Sequence, residues 1–493
     1  MKAYERSVVC AVVAVALTSW AREPAPTVLV TMDEARELGP IKAMNAVNNG
    51  PSVANPGGEH KRGNNEEYAA LRIPYARTHD SIAVVGLREH CCDVSAVFPD
   101  FEADENDPEN YDFVYTDHYL DAIRRAGTEI FYRLGETTEH GPKKYTAMPP
   151  KDPAKWARIC EHIVRHYNEG WGWGTDKSPA TVNVAWSNQF NIVYWEIWNE
   201  ADLDISHAGV PPNPRSWGGT VTNFYEFFST AVSHLKRTFP KLKVGGPAIA
   251  YRQDWAEGLL RYCKAQSVPL DFFSWHTYST NPHLTSELSR QFRGLLDKTG
   301  YPRVESIISE WNFVKGWTDD WVYSVECESA REQHKGAAYI AAAMVEGQHS
   351  PTDMMMLYDV RLRTPMNSVF DLYTYRPKKA YYAFYAWSKL RELGTEVASA
   401  VAEPAEDGHF YTVAAKGKDG KGAVLVVRYA EDNNITERAH VKVRLPKRTL
   451  DEVRIHLTDV ECSHTEVGVP PRSSEGDIAI KMLPNSVLLV EYR

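Results

Sequence analysis

At 493 residues the chain exceeds one ordinary core of about 100–200 residues and has room for a large barrel with an accessory domain. With 43% hydrophobic and 24% charged residues it has a globular composition, and no biased or single-signed tract marks a disordered tail. The formal charge of −10 leaves no basic excess to hold a phosphate backbone, which argues against nucleic acid as a partner, while 14 Trp and 26 Tyr supply flat amphipathic faces that suit sugar stacking and core packing alike.

In chain order, residues 1–21 read as a secretion signal, with Lys2 and Arg6 before the apolar run 8–17 and a small-x-small site at Ser19-Trp20-Ala21. The run is half the length of about 20 residues that spans a bilayer, so the mature form is expected to be exported and free of the membrane. Cys10 lies inside the run and not at its end, which disfavours a lipoprotein anchor. The other cysteines, Cys91, Cys92, Cys160, Cys263, Cys327 and Cys462, make no CxxC pair and so no zinc spacing; buried thiols are expected. Residues 22–39 form a pre-barrel segment, in which 27–30 is expected to add a strand to a later sheet.

Over 40–394, short β-branched or aromatic runs alternate with longer amphipathic stretches, the signature of repeated βα units. Strands are predicted at 41–45, 73–77, 129–133, 192–197, 242–246, 271–275, 306–309 and 354–358. Trp156, Ile159, Cys160, Ile163, Val164 and Tyr167 recur at helical spacing behind the N-cap Asp152 and Pro153. Eight such units make an α/β fold, a (β/α)8 TIM barrel, whose chemistry sits where the strands end at the C-terminal face. Residues 395–493 change to period-two runs at 422–429, 440–445, 452–457 and 486–492, read as a C-terminal β-sandwich packed directly on the barrel.

Two strand ends carry carboxylates. Tyr194-Trp195-Glu196-Ile197-Trp198-Asn199-Glu200 closes the fourth predicted barrel strand, and continued extension would turn Glu196, Trp198 and Glu200 to one face. Ile307-Ile308-Ser309-Glu310-Trp311-Asn312 closes the seventh. A single Glu at a strand end is commonly solvated or capping. Two at matching positions on opposite sides of a barrel mouth, each with aromatic and amide neighbours, fit retaining glycoside hydrolysis, which needs two carboxyls ~5–5.5 Å apart.

Asn199-Glu200, Glu310-Trp311-Asn312, His276-Thr277-Tyr278 after the sixth strand, Arg77-Thr78-His79-Asp80 after the second and Lys379-Ala380-Tyr381 late in the barrel stand in the order that resembles glycoside hydrolase family 39 of clan A. That family holds β-xylosidases and α-L-iduronidases with a β-sandwich behind the barrel, and the resemblance spans nearly the whole mature chain. It implies that Glu200 is the general acid/base and Glu310 the nucleophile. It further implies that Asn199 bonds the sugar 2-hydroxyl, that His79, His276 and Tyr278 line the subsite with Tyr278 also holding Glu310, and that Arg77 lies beneath Glu310 and keeps it ionised. Arg77 has a purely structural alternative, pairing with Glu196. Trp311, Asp359 and Arg361 complete the expected substrate-binding set.

The sequence departs from the family in two places. Ala201 and Asp202 follow Glu200 where Pro is usual, and Tyr358-Asp359-Val360-Arg361-Leu362-Arg363 brings two arginines where acidic residues are expected. Arg361 or Arg363 either forks onto a uronate carboxylate or pairs with Asp359 and neighbours such as Asp353. Elsewhere, His162 and His166 lack the His-Glu-x-x-His pattern and are expected to face solvent. Trp171 and Trp173 either wall the mouth or staple their loop. The acidic insert 91–110 lacks calcium-loop spacing and is expected to be a solvated rim.

The expected activity is double-displacement hydrolysis of oligosaccharide or polysaccharide fragments, β-D-xylosides first, with no cofactor and no metal. An α-L-iduronidase-like, arabinosidase or galactosidase activity, a transglycosylase, and a non-catalytic carbohydrate-binding barrel are the alternatives. Oligomeric state is not legible in the sequence.

Overall fold

The structure, a computed structural model, describes residues 27–52, 63–84, 88–138, 147–175, 190–204, 213–318, 320–362, 364–402, 409–447 and 452–493. The expected signal segment 1–21 and Arg363 lie outside these residues. Strand β1 (Thr27–Pro40) is followed by β2 (Ala43–Asn48) and β3 (Tyr75–Arg77), a hairpin of β4 (Ile82–Val84) and β5 (Arg88–Glu89), then β6 (Glu129–Leu134), β7 (Tyr194–Ile197), β8 (Lys243–Ile249), β9 (Phe272–Ser279), β10 (Glu305–Phe313) and β11 (Met354–Leu357). Eight of these close a parallel barrel in the order β2-β3-β6-β7-β8-β9-β10-β11. The strands are buried on both faces, which is why they read as apolar runs and not as alternating ones.

Phe131, Tyr194, Phe272, Ile307, Met354 and Met356 fill the barrel interior, while Ile308, Trp275 and Leu357 face the surrounding helices. The helix Pro153–Glu169 starts where the sequence places it: Asp152 accepts from the Ala154 and Lys155 amides, and Gly170, with φ of 80°, ends it in a left-handed turn.

After the barrel come β12 (Thr395–Ala402), β13 (His409–Lys416), β14 (Gly422–Tyr429), β15 (Ala439–Arg444), β16 (Val453–Thr458), β17 (Thr465–Val467), β18 (Asp477–Met482) and β19 (Ser486–Tyr492). With β1 they form one nine-stranded sheet in the order β17-β16-β19-β14-β13-β12-β1-β15-β18. Side chains from the middle and from both ends of that sheet, including Val30, Val426, Val443, Ile455 and Ile478, share a single apolar core, so the sheet curls over itself as a sandwich. The opposite face of its central strands, with Leu425, Val427 and Leu489, joins the barrel's own core. The helices His334–Gln348 and Lys379–Leu393 lie between the two layers. Polar ties cross the same seam: Lys379 Nζ donates to the Asp459 and Cys462 carbonyls, Lys335 Nζ to the Glu431 carbonyl at 2.6 Å, and Tyr429 OH to the Thr280 carbonyl, just past β9.

Three surface expectations are corrected or decided. His166 is fully buried, stacked on Phe113, and bonded to Asp117 at 3.1 Å and the Trp171 carbonyl at 2.7 Å, and His162 stacks on Trp171; neither faces solvent freely. Trp171 and Trp173 staple their loop, Trp173 Nε1 donating to the His166 carbonyl at 2.9 Å. The acidic insert is only partly a solvated rim: Asp93 is buried against Arg133 at 2.6 Å, Glu105 pairs with Arg158 at 2.7 Å, and Asp107 caps a short 3-10 turn.

Candidate active site

The centre of the site is Arg77, at the end of β3 and fully buried. Its guanidinium donates to Glu196 Oε2 at 2.6 Å, to Asn48 Oδ1 at 3.0 Å, to Glu310 Oε1 at 2.7 Å and to Asn199 Oδ1 at 2.6 Å. The two readings of Arg77 therefore coexist, since it pairs with Glu196 and also lies against Glu310. Burying one guanidinium between two carboxylates leaves a net negative charge fixed beneath the mouth, and its location is set by residues from four different strand ends.

Glu310 is gripped from both sides. Its Oε2 accepts from Tyr278 OH at 2.7 Å, with His276 Nδ1 at 3.5 Å, and its Oε1 has His79 Nε2 at 3.5 Å beside Arg77. Burial alone would raise this carboxyl, but the charges that face it, His276 first, then His79, which is charged only in acid, then Arg77, together with the Tyr278 hydrogen bond bring it down to about 2. His79 is held neutral, its pKa pushed by burial to about 3. Glu310 is therefore an ionised carboxylate at neutral pH.

Glu200 faces it under different conditions. Burial raises its carboxyl above the ordinary value, helped by the neighbouring Glu310 charge, although His276 Nδ1 lies only 2.7 Å from its Oε1 and opposes the shift. One oxygen of each carboxylate and the His276 ring nitrogen lie within 4.8 Å of one another. Among the described residues this trio is also the only cluster with metal-ligand spacing. Glu310 is already satisfied by a guanidinium and a phenol donor, which suits acid–base chemistry better than cation binding.

The local backbone explains how Glu200 reaches this position. Extension stops at Ile197: Trp198 and Glu200 take left-handed conformations, with φ of 70° and 49°. Glu196, Trp198 and Glu200 consequently do not share a face, contrary to the sequence expectation. Glu196 points into the barrel at Arg77, Trp198 turns outward onto Trp217 and Phe227, and Glu200 faces the mouth. The Glu200 amide donates to the Ala248 carbonyl at 3.0 Å, and Asp202, two residues on, accepts from the amides of Ala250, Tyr251 and Arg252 at 2.9 to 3.0 Å. That carboxylate ties the exit of β7 to the exit of β8. Sequence reasoning noted Asp202 only as a departure; its partners are distant in sequence and gave no local signal.

The remaining expectations divide. Asn199, His79, His276 and Tyr278 are brought together around the two carboxylates. Asn199 spends its carbonyl on Arg77 and keeps amide hydrogens, one near Thr138 Oγ1 at 3.4 Å. His276 Nε2 and His79 Nδ1 are buried without a partner among the described residues.

Trp311 is not in the subsite. The pairing register of β10 shifts between Ile308 and Glu310, so Glu310 turns inward and Trp311 outward into the helix layer, where its ring lies 6.3 Å from that of Tyr339. Asp359 and Arg361 likewise pair with each other, at 3.1 Å, instead of presenting themselves to a ligand. Asp359 is fully buried beside Asn49, while Arg361 donates to the Asp80 carbonyl at 2.6 Å and to Tyr358 OH at 3.2 Å. The acidic neighbour is Asp80; Asp353 instead accepts from the Ser306 amide. Asn48 and Tyr358, whose hydroxyl donates to Asp80, belong to the site surroundings and were not singled out in the sequence.

The sequence profile of glycosyl hydrolases family 39 matches residues 28–361, a span that holds all eight barrel strands. The chain belongs to glycosyl hydrolases family 39. Curated relatives are more distant: a beta-xylosidase of Caldicellulosiruptor saccharolyticus is 25% identical over 251 residues, 48% of this chain and 45% of the relative. A beta-xylosidase of Geobacillus stearothermophilus is 24% identical over 279 residues, 51% of this chain and 49% of the relative. The chain thus spans about half the length of the curated relatives it matches. Among solved structures, a glucosidase from Croceicoccus marinus superposes with a TM-score of 0.71 at 20% identity, covering 94% of this chain and 98% of that one. A monomeric beta-xylosidase from Caulobacter crescentus gives 0.65 at 16% identity, covering 94% and 99%. These likenesses carry the fold, a family 39 barrel with its sheet domain.

Proposed function

We propose that this family 39 protein is a retaining glycoside hydrolase that removes a terminal β-D-xyloside from oligosaccharide fragments. The observation that carries the reading is the pair of opposed carboxylates, Glu310 ionised and Glu200 with a raised pKa, whose oxygens lie within 4.8 Å. Retaining enzymes use carboxyls about 5–5.5 Å apart, whereas inverting ones need about 6.5–9.5 Å to seat a water.

In the first step Glu310 attacks the anomeric carbon while the Glu200 proton passes to the departing glycosidic oxygen. Esterification removes the Glu310 charge, which lowers the Glu200 pKa and readies it as a base. In the second step Glu200 takes a proton from water, the oxygen attacks the same carbon, and Glu310 leaves as a carboxylate. The amide hydrogen of Asn199 that Thr138 does not take suits a bond to the sugar 2-hydroxyl, which strengthens as positive charge develops on the ring. The unpartnered nitrogens of His79 and His276 supply further hydroxyl contacts.

The xyloside preference draws on the two beta-xylosidase relatives and on Arg361, whose Nη1 and Nη2 are both engaged, by Asp80, Tyr358 and Asp359. The test is a panel of 4-nitrophenyl glycosides, β-D-xyloside and α-L-iduronide included, assayed on the protein beside Glu200→Gln and Glu310→Gln. Turnover of the xyloside, lost in Glu310→Gln, is the expected result. Turnover of another sugar alone would overturn the glycone, and silence across the panel would favour a carbohydrate-binding barrel.

A further inference from the structure

We propose that Trp317 is a stacking platform for a second sugar ring of the substrate, next to the ring held at Glu310; the proposal rests on the glycosidase reading and extends it to an oligosaccharide subsite. Trp317 follows β10, the strand that carries Glu310, and is 74% exposed. Its ring meets Tyr278 at right angles, with centroids 5.2 Å apart and planes at 77°, and Tyr278 OH donates to Glu310 at 2.7 Å. One aromatic contact therefore separates a water-exposed indole from the carboxylate at the reaction centre. The edge-to-face contact engages only part of the ring system and leaves the rest open. A second indole, Trp321, 73% exposed, begins the helix Trp321–Glu332 four residues later.

An indole left in water is an unspent hydrophobic surface, and beside a sugar site it matches the apolar C–H face of a pyranose, with the ring hydroxyls free to stay hydrated. The segment that presents it is braced. Val314 donates its amide to the Ser279 carbonyl at 3.3 Å, the Lys315 amide to Cys327 Sγ at 3.4 Å, and Arg331 Nη1 to the Phe313 carbonyl at 2.8 Å. The Lys315 carbonyl accepts from Tyr323 OH at 3.4 Å, and the Lys315 ammonium lies 5.4 Å from the Tyr323 ring centre. Holding the chain as far as Lys315, with the Tyr278 contact on the indole itself, limits the freedom left to lose when a ring settles on it, so the contact is expressed as affinity.

The test compares kcat/KM for a matched pair of substrates, β-D-xylosyl fluoride, whose leaving group is a single atom, and xylotriose, in the wild type, Trp317→Ala and Trp317→Tyr. The ratio of trisaccharide to fluoride is expected to fall about tenfold in Trp317→Ala, mainly through KM, and to recover in Trp317→Tyr. An unchanged ratio, or equal losses on both substrates as a mere prop for Tyr278 would give, would overturn the proposal. If the wild type turns over neither compound, the xyloside reading fails, and the fluoride and trisaccharide of the sugar selected by the glycoside panel then decide the role of Trp317.

Discussion

Arg77 binds the chemistry to the stability of the barrel, because one buried guanidinium is the shared ion-pair partner of Glu196 and Glu310. Arg77→Met should cost about 3–5 kcal/mol at neutral pH by removing the shared partner of two buried carboxylates, read from urea denaturation, and the deficit should shrink as acid protonates Glu310. An unchanged midpoint would contradict the ion-pair description. Glu310 has a depressed pKa in the folded state, so its contribution to stability is present above its unfolded value of about 4.3 and is lost as pH falls towards about 2. For activity the two carboxyls act in opposite senses. On the proposed mechanism Glu310 is ionised and Glu200 protonated in the first step, so kcat/KM should follow a bell whose acid limb belongs to Glu310 and whose basic limb belongs to the Glu200–His276 pair. Glu200→Gln should lose about 10²–10⁴-fold on unactivated substrates and lose the basic limb on an activated aryl glycoside. A basic limb that survived that substitution would belong to another group.

At the level of elements, the strands were legible because each is a short apolar run between amphipathic stretches, and buried parallel strands have no other way to be written. The exits of the strands were not. Whether Glu200 sits in a left-handed turn is decided by the Ala248 carbonyl and by Asp202 holding three amides of the next strand's exit, contacts that span about fifty residues. The orientation of Trp311 hinged on a register shift in β10 that leaves no mark in its composition. Glu200, Glu310, Asn199, His276, Tyr278 and His79 were legible as motifs, whereas the pairing of Arg361 with Asp359 depends on a fold that brings Asp80 beside them. Asp202→Ala should therefore cost about 1–3 kcal/mol through its unsatisfied amides and lower kcat by at least about tenfold, as the acid drifts from the scissile oxygen. Gly246 has the same kind of importance: its φ of 135° and the Ile197 carbonyl 2.6 Å from where a Cβ would stand allow no side chain. A Gly246→Ala variant with full activity and an unaltered Tm would show that this approach of β8 to β7 is not needed.

In the whole molecule, the barrel and the sheet share one apolar core through the helices His334–Gln348 and Lys379–Leu393, and β1 reaches back from the start of the described chain to complete the sheet. A chain ending at residue 394 would leave the outer faces of those helices wet and β1 without its antiparallel partner β12, so it should be insoluble or lack a cooperative unfolding transition. A soluble, active truncation would contradict the shared core. The central claim, that Glu310 forms a covalent bond to the sugar, is tested most directly by peptide mapping after incubation with an activated 2-deoxy-2-fluoro glycoside of the sugar the protein turns over. The predicted result is a single glycosyl adduct on Glu310; an adduct on any other residue, or turnover of the parent glycoside with an inverted anomeric product, would contradict it.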